Sequence, residues 1–311
     1  MRISVIGPGA IGCLLAAYLA RAGEQVSLLD YRPERAALLN AKGITVHGVR
    51  EDFHTNVKAT TDTAEISSAA VLIVCVKACN TAAVASLLKD AISSESHLLT
   101  LQNGLGNVEK LGEFFPSHRI FAGVTSNGAT LLGVGRVRHA GYGEIWVGEG
   151  IENSSTPVGQ RKLQNLVAVL DRAGLKAQLV DDIQTVLWRK LVVNVGINAL
   201  TAVLGVANGV LLEIPQCQDI VQNAVTETVQ VAHCYGVHLD ATEEIDRVRE
   251  VCSSTAANIS SMLQDVNQKK KTEIDYINGA VVRMAARRGR VSPVNQVLTA
   301  LVQSLETGYL R

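Results

Sequence analysis

What this 311-residue chain has little of narrows its class before any motif is read. It has no net charge, since 29 Lys+Arg balance 29 Asp+Glu. No basic stripe is therefore offered to nucleic acid or to an anionic membrane. The nearest thing to a charge run, Lys269-Lys270-Lys271, reads as a solvated helix face, with a polyanion site as the alternative. Cysteines number six, without a CxxC pair or a regular framework. No histidine stands at ligand spacing from a cysteine or an acid cluster, which argues against a zinc centre or any other metal. Cys13, Cys75 and Cys252 fall in apolar or helical runs, where a free thiol behaves as a small hydrophobe. No uninterrupted apolar run reaches the roughly 18 residues of a membrane span. The opening MRISVIG lacks the charged n-region and cleavage site of a signal peptide. These absences predict a soluble, cytoplasmic protein with no membrane and no nucleic-acid partner.

What is present is apolar surface arranged in two textures. Hydrophobic residues make up 47% of the chain, enough for two sizeable cores at this length. In the first half, short apolar runs at Ile3–Ile6, Gln25–Leu29, Ala70–Val76, His97–Leu101 and Ile120–Val124 read as strands. Helical patterns lie among them at Ile11–Ala22, Pro33–Lys42, Thr81–Ile92 and Asn107–Phe114. That alternation predicts crossover units and a parallel sheet, hence an α/β fold. From Gly133 the segment GVGRVRHAGYGEIWVGE alternates and is expected to add antiparallel strands at the sheet's edge. A helix over Gln160–Ala173 and a strand near Ala177–Val180 follow. Thereafter only helical periodicity remains, over Thr185–Val203, Gln216–Tyr235, Ala241–Asn267 and Glu273–Arg288. The boundary is placed at residue 180, giving domains over 1–180 and 181–311.

Gly7-Pro8-Gly9-Ala10-Ile11-Gly12 has G-x-G-x-x-G spacing between a strand and a helix. The first glycine permits a tight turn, the second close approach to a pyrophosphate, and the third close packing of helix on strand. A helix N-terminus in that position aims free N–H groups and a positive dipole end at phosphate. This context predicts a Rossmann-type dinucleotide-binding domain over 1–180, followed by an all-α domain over 181–311. Asp30 closes the second strand, where an acid accepts the ribose hydroxyls of NAD. Arg32 lies two residues on and could instead pair with the 2′-phosphate of NADP. The local sequence leans to NAD, and both cofactors stay open.

Within VLWRKLVVNVGINALTAVLG, Lys190, Asn194 and Asn198 fall at i, i+4 and i+8, on one stripe of a helix. Their neighbours are apolar, so the stripe faces inward or into a cleft. A desolvated lysine has a lowered pKa and suits proton donation. The other reading is a lysine snorkelling at a helix seam beside two amides. Asn258 and Ser261 share a helical face further on, and Glu273 lies in TEIDYING. Glu273 alone reads equally as an acid near a helix start. Lys77 ends VLIVCVK and Asn103 ends HLLTLQN, both at carboxyl ends of strands, the edge at which such sheets bind ligands. NGLGN also reads as an ordinary turn. None of the seven histidines lies in these clusters, which disfavours a histidine proton relay.

Taken together, GPGAIG, VKACNT, NGLGN, LWRKLVVNVGINALTA, NISSMLQD and KTEIDYING resemble the ketopantoate reductase (2-dehydropantoate 2-reductase) family nearly end to end. The resemblance implies NADP(H)-dependent reduction of the 2-keto group of ketopantoate to (R)-pantoate, in pantothenate and coenzyme A biosynthesis. It implies Lys190 as catalytic proton donor and Glu273 as an acid placed where cofactor and substrate meet. Substrate contacts fall on Asn103, Asn194, Asn198, Asn208 and Ser261. Cofactor contacts fall on Gly7, Pro8, Gly9, Ala10, Ile11, Gly12, Lys77, Asn103, Ala129 and Glu273. The turn Asp30-Tyr31-Arg32 departs from the family, which places a basic residue there without the acid, so NAD(H) stays open beside NADP(H). Related enzymes on this scaffold reduce other 2-keto acids or imines, and a non-catalytic dinucleotide-binding regulator is a further reading. The expected partner is a small keto acid, and apolar helices in the second domain are compatible with a homodimer.

Overall fold

The run RISVI is buried at four of its five positions, a pattern that suits a strand covered on both faces. It forms β1 (Arg2–Ile6) in a computed structural model that describes residues 1–49, 51–151 and 156–310. The chain gathers into two units. One comprises Met1–Gln102 and Asn107–Ile183, the other Asn103–Gly106 and Gln184–Arg311.

In the first unit β1 leads through α1 (Ala10–Arg21), β2 (Gln25–Leu29) and α2 (Pro33–Lys42) to β3 (Ile44–Gly48), β4 (Asp52–Thr55) and β5 (Lys58–Thr60). There follow β6 (Val71–Val74), α3 (Thr81–Leu88), β7 (His97–Thr100), α4 (Asn107–Gly112) and β8 (Ile120–Thr125). The unit ends with β9 (Gly128–Gly133), β10 (Arg136–Gly141), β11 (Ile145–Glu149), α5 (Pro157–Arg172) and β12 (Ala177–Leu179). Eight strands pair in the order β12-β11-β8-β7-β6-β1-β2-β5. The run from β8 to β5 is parallel, and β11 joins β8 antiparallel. The chain leaves β1 toward β2 and returns on its other side at β6. That reversal is the switch point at which such sheets bind ligands.

The expected antiparallel edge is corrected here. Only β11 joins the main sheet antiparallel, whereas β9 and β10 pair with β3 and β4 in a separate four-stranded sheet. β3 pairs in parallel with β10, Thr45 opposite Arg136. Alternation reveals a strand but not so distant a partner, and residues 44–60 carried no strand expectation at all. The small sheet packs against α1, which is buried from Gly12 to Leu19. This accounts for a helix apolar on all sides. Tyr18 on α1 meets Phe53 edge-on with centroids 5.1 Å apart, and its hydroxyl bonds His139 Nδ1 at 3.1 Å.

The second unit is helical: α6 (Ile183–Leu204), α7 (Val210–Glu213), α8 (Pro215–His233), α9 (Ala241–Ser254), α10 (Ser261–Asn267), α11 (Asn278–Arg287) and α12 (Pro293–Tyr309). α6 is long and apolar enough to cross a membrane by length and composition, but 67% of its most apolar window is buried. Trp188, Leu191, Val192, Val195 and Leu200 sit in one core with residues of α8, α9, α11 and α12.

The single helix expected over Ala241–Asn267 is two, because Thr255 closes α9 and Ser260 caps α10 through Leu263 N at 3.2 Å. Glu273–Arg288 opens with a short 3-10 turn at Ile274–Tyr276 before α11 begins. Lys269–Lys271 is exposed, as expected, but follows the end of α10 rather than lying on a helix face. α12 was not read from the sequence. Its first N–H groups are capped from another helix, since Glu227 of α8 accepts from Val294 N at 2.9 Å and Asn295 N at 3.0 Å. Ser292 stands at its N-cap and Pro293 opens it, but the Ser292 side chain makes no capping bond.

Candidate active site

The glycine turn is built as its spacing requires. Gly7 lies at φ +99°, a left-handed conformation that favours glycine. A Cβ on Gly12 would stand 2.0 Å from the Gly7 carbonyl oxygen, so only hydrogen fits there. A Cβ on Gly9 would meet nothing within 4 Å. Gly9 caps α1 without any side-chain hydrogen bond, and the first turn has no acid. The N–H groups at this helix end therefore lack side-chain caps and face open space beside Gly9, which fits a dinucleotide's pyrophosphate.

Lys77 stands three residues past the end of β6, at the start of a 3-10 turn over Ala78–Asn80. Ala129 lies in the small sheet, paired with His139. Gln102, which sequence reading missed, braces the β6 exit: its Nε2 donates to the Val76 carbonyl at 2.9 Å and to Thr81 Oγ1 at 2.8 Å. Nothing in the run LQNGLGN distinguishes it, because both partners lie more than 20 residues away.

At the end of β2 both oxygens of the Asp30 carboxylate are engaged. Oδ1 accepts from Tyr31 N at 2.7 Å, Arg32 N at 3.1 Å and Arg35 Nη2 at 2.5 Å, and Oδ2 accepts from Arg35 Nε. The Asp30 side chain is buried, whereas Arg32 is exposed with its guanidinium 5.1 Å from the Tyr31 ring centroid.

In the second unit, Lys190, Asn194 and Asn198 share one stripe of α6. Burial pushes the Lys190 ammonium below its ordinary pKa, with no charged neighbour contributing. Asn194 and Asn198 are 7% and 6% exposed, and Asn194 Nδ2 has no hydrogen-bond partner among the described residues. A buried donor left unpaired costs about 1–3 kcal/mol, which marks a place kept for an acceptor. Thr201, one turn along, donates to Ser260 Oγ at 2.7 Å and ties α6 to the cap of α10. Ser261 begins α10 and is exposed. Asn208 Nδ2 donates to Thr255 Oγ1 at 2.9 Å, its backbone N–H to the Asn258 carbonyl at 3.0 Å, and its buried Oδ1 has no partner among the described residues.

Asn103 and Glu273, 170 residues apart, are brought together: Asn103 Nδ2 donates to Glu273 Oε2 at 2.9 Å. NGLGN is a turn, but one docked on the Glu273 segment. Leu105 N donates to the Tyr276 carbonyl at 2.9 Å, and a Cβ on Gly104 would stand 2.1 Å from that oxygen. Helix α12 holds the same segment, through Glu306 accepting from Thr272 N at 2.6 Å and Gln303 donating to Asp275 at 2.7 Å.

Two family models match this chain. Ketopantoate reductase PanE/ApbA covers residues 3–152, and its C-terminal counterpart covers 182–306. The chain belongs to the ketopantoate reductase family. A 2-dehydropantoate 2-reductase of Halobacterium salinarum is 35% identical over 97% of this chain and 98% of its own length. One of Vibrio cholerae is 33% identical over 99% of each. Among solved structures, a PanE/ApbA family ketopantoate reductase of Ralstonia eutropha matches all of both chains at 29% identity and TM-score 0.90. D-mandelate dehydrogenase, in a ternary structure with NADH and anilino(oxo)acetate, also matches all of both chains, at 26% identity and TM-score 0.92. The fold of a ketopantoate reductase, a parallel-sheet domain and a helical C-terminal domain, is the one seen here.

Proposed function

We propose that this protein reduces the 2-keto group of ketopantoate to pantoate in the cytoplasm, with NADPH as its favoured donor. One observation supports this reading above the rest: a desolvated Lys190 in line with two buried amides, Asn194 and Asn198, on a single helix. The bound dinucleotide supplies hydride to the keto carbon.

Everything else falls to this chain's own side chains. Lys190 Nζ donates its proton to the ketone oxygen as charge develops there. Lowering of its pKa by burial eases that transfer. The free Nδ2 of Asn194 donates to a substrate oxygen, while Asn198, Asn208 and Ser261 orient the acid by hydrogen bonds that add no charge. Glu273, held by the Asn103 amide, positions the reacting groups. Gly7–Gly12 hold the pyrophosphate, and Lys77, Asn103 and Ala129 complete the cofactor contacts. NADPH is favoured because Asp30 is engaged internally while Arg32 is exposed at the same turn.

A second reading, reduction of another 2-keto acid or an imine, is favoured by the likeness to D-mandelate dehydrogenase. Comparing kcat/KM for ketopantoate with a panel of aryl and alkyl 2-keto acids and cyclic imines separates the two. Ketopantoate is expected to exceed every other compound by at least about tenfold, the scale of one net hydrogen bond. Undetectable ketopantoate turnover beside efficient reduction of another compound would replace this proposal with the second reading.

A further inference from the structure

We propose that Arg35 sets this chain's preference for NADPH by holding the Asp30 carboxylate out of the ribose position. The inference rests on the reading of the first unit as a dinucleotide site. An acid at the end of β2 ordinarily accepts the ribose hydroxyls of NAD and repels a 2′-phosphate. Asp30 occupies that place, but its oxygens are turned to other work.

The local sequence explains how. Pro33 fixes the first turn of α2, with Arg32 at the position before it, so Arg35 falls within that turn. Its guanidinium closes a two-pronged pair on Asp30, Nε to Oδ2 and Nη2 to Oδ1. The N–H groups of Tyr31 and Arg32 add two more donors to Oδ1. A carboxylate oxygen offers about two lone-pair directions, so Oδ1, with three donors, has none left for a ribose hydroxyl, and Oδ2 keeps only the one its Arg35 bond leaves open. The fork also neutralises the charge, and such charge-assisted bidentate bonds are among the strongest in proteins. Arg35 is half-buried against the fully buried Asp30 side chain, and its guanidinium lies 5.4 Å from the Tyr31 ring centroid.

Arg32 remains as the cation that faces outward. Among the described residues no carboxylate pairs with it, and its ring contact is also with Tyr31. Glu34, next along α2, is exposed, so water and salt screen its charge. The turn thus presents Arg32 to a phosphate while its internal acid stays neutralised. Arg35 is a positioning residue in this scheme, because two of its three guanidinium nitrogens, Nε and Nη2, are engaged with Asp30.

Dissociation constants for NADPH and NADH, read from nicotinamide fluorescence on one preparation of each protein, test this. In Arg35→Gln the released carboxylate opposes the 2′-phosphate, and the ratio of NADPH to NADH constants is expected to rise at least about tenfold. In Asp30→Asn/Arg35→Gln the offending charge is gone, and the ratio is expected to return to within about threefold of wild type. A double variant as impaired as the single one would mean that Arg35 touches the phosphate directly, and would overturn the proposal. An unchanged ratio in Arg35→Gln would overturn it as well. Each ratio comes from one preparation, so a loss of folded protein cancels from it. Failure of the wild-type protein to bind either dinucleotide would instead refute the underlying reading of the first unit.

Discussion

Lys190→Met lowers kcat by about a thousandfold, the scale of a lost general acid, while the Kd for NADPH stays within about twofold. Methionine keeps a straight apolar stem on α6 and removes only the ammonium. The structure also sets the sign of the stability change. Burial lowers the lysine's pKa in the folded protein, so the unfolded chain binds more protons between the folded value and the ordinary value near about 10.4. Stability therefore rises with pH across that window, and the protonated lysine weighs against folding below it. Lys190→Met is accordingly expected to melt no lower than wild type. Stopped turnover with undiminished stability would separate a catalytic lysine from a seam lysine, whose loss would weaken packing and leave kcat nearly intact. In the wild-type protein, log kcat is expected to fall as pH rises through the lowered pKa, below the range of an ordinary lysine. A flat profile up to about pH 10 would assign the proton to another group.

The second large effect belongs to the glycine turn, where two alanines are expected to act in opposite ways. Gly12→Ala places a methyl 2.0 Å from the Gly7 carbonyl oxygen. Backbone cannot yield by that much without moving α1 or β1, so a loss of about 3 kcal/mol or more is expected, with dinucleotide binding abolished. Gly9→Ala adds a methyl to open space, so the thermal midpoint is expected to stay within a few degrees. The same methyl fills the approach to the pyrophosphate, and Kd for NADPH is expected to rise at least about tenfold. Calorimetry and fluorescence titration on both variants check this. A Gly9→Ala protein that binds NADPH normally would move the pyrophosphate away from this turn.

Much of this was legible in the sequence, and what was not has physical reasons. The alternation of strands and helices pointed to an α/β domain followed by a helical one, and the spacing of Lys190, Asn194 and Asn198 on a helix needed no tertiary information. Strand β10 was misassigned to the main sheet because its partner β3 is distant, Thr45 lying opposite Arg136, whereas β3, β4 and β9 escaped although β4 and β9 pair in local hairpins with β3 and β10. Helix α12 escaped although Ser292-Pro293 marks its start; the capping bonds themselves come from Glu227 on another helix. The break between α9 and α10 lies in a stretch without Gly or Pro, and it is held by Asn208 and Gly209 bonding to Asn258 and Ala256. At the site, Asp30 was read by type and position, as an acid for ribose. Its side-chain partner, Arg35, lies five residues on, and the choice between solvent and that guanidinium is a matter of geometry. The meeting of Asn103 with Glu273 was likewise unreadable, since it depends on NGLGN docking against Tyr276.

The most direct measurement follows the hydride itself. With ketopantoate and NADPH deuterated at both C4 positions, mass spectrometry is expected to find pantoate carrying deuterium at C2, formed by the wild-type protein and nearly absent with Lys190→Met. Binding of NADPH without any labelled pantoate from the wild-type protein would contradict the account, leaving a dinucleotide-binding protein that does not reduce this acid.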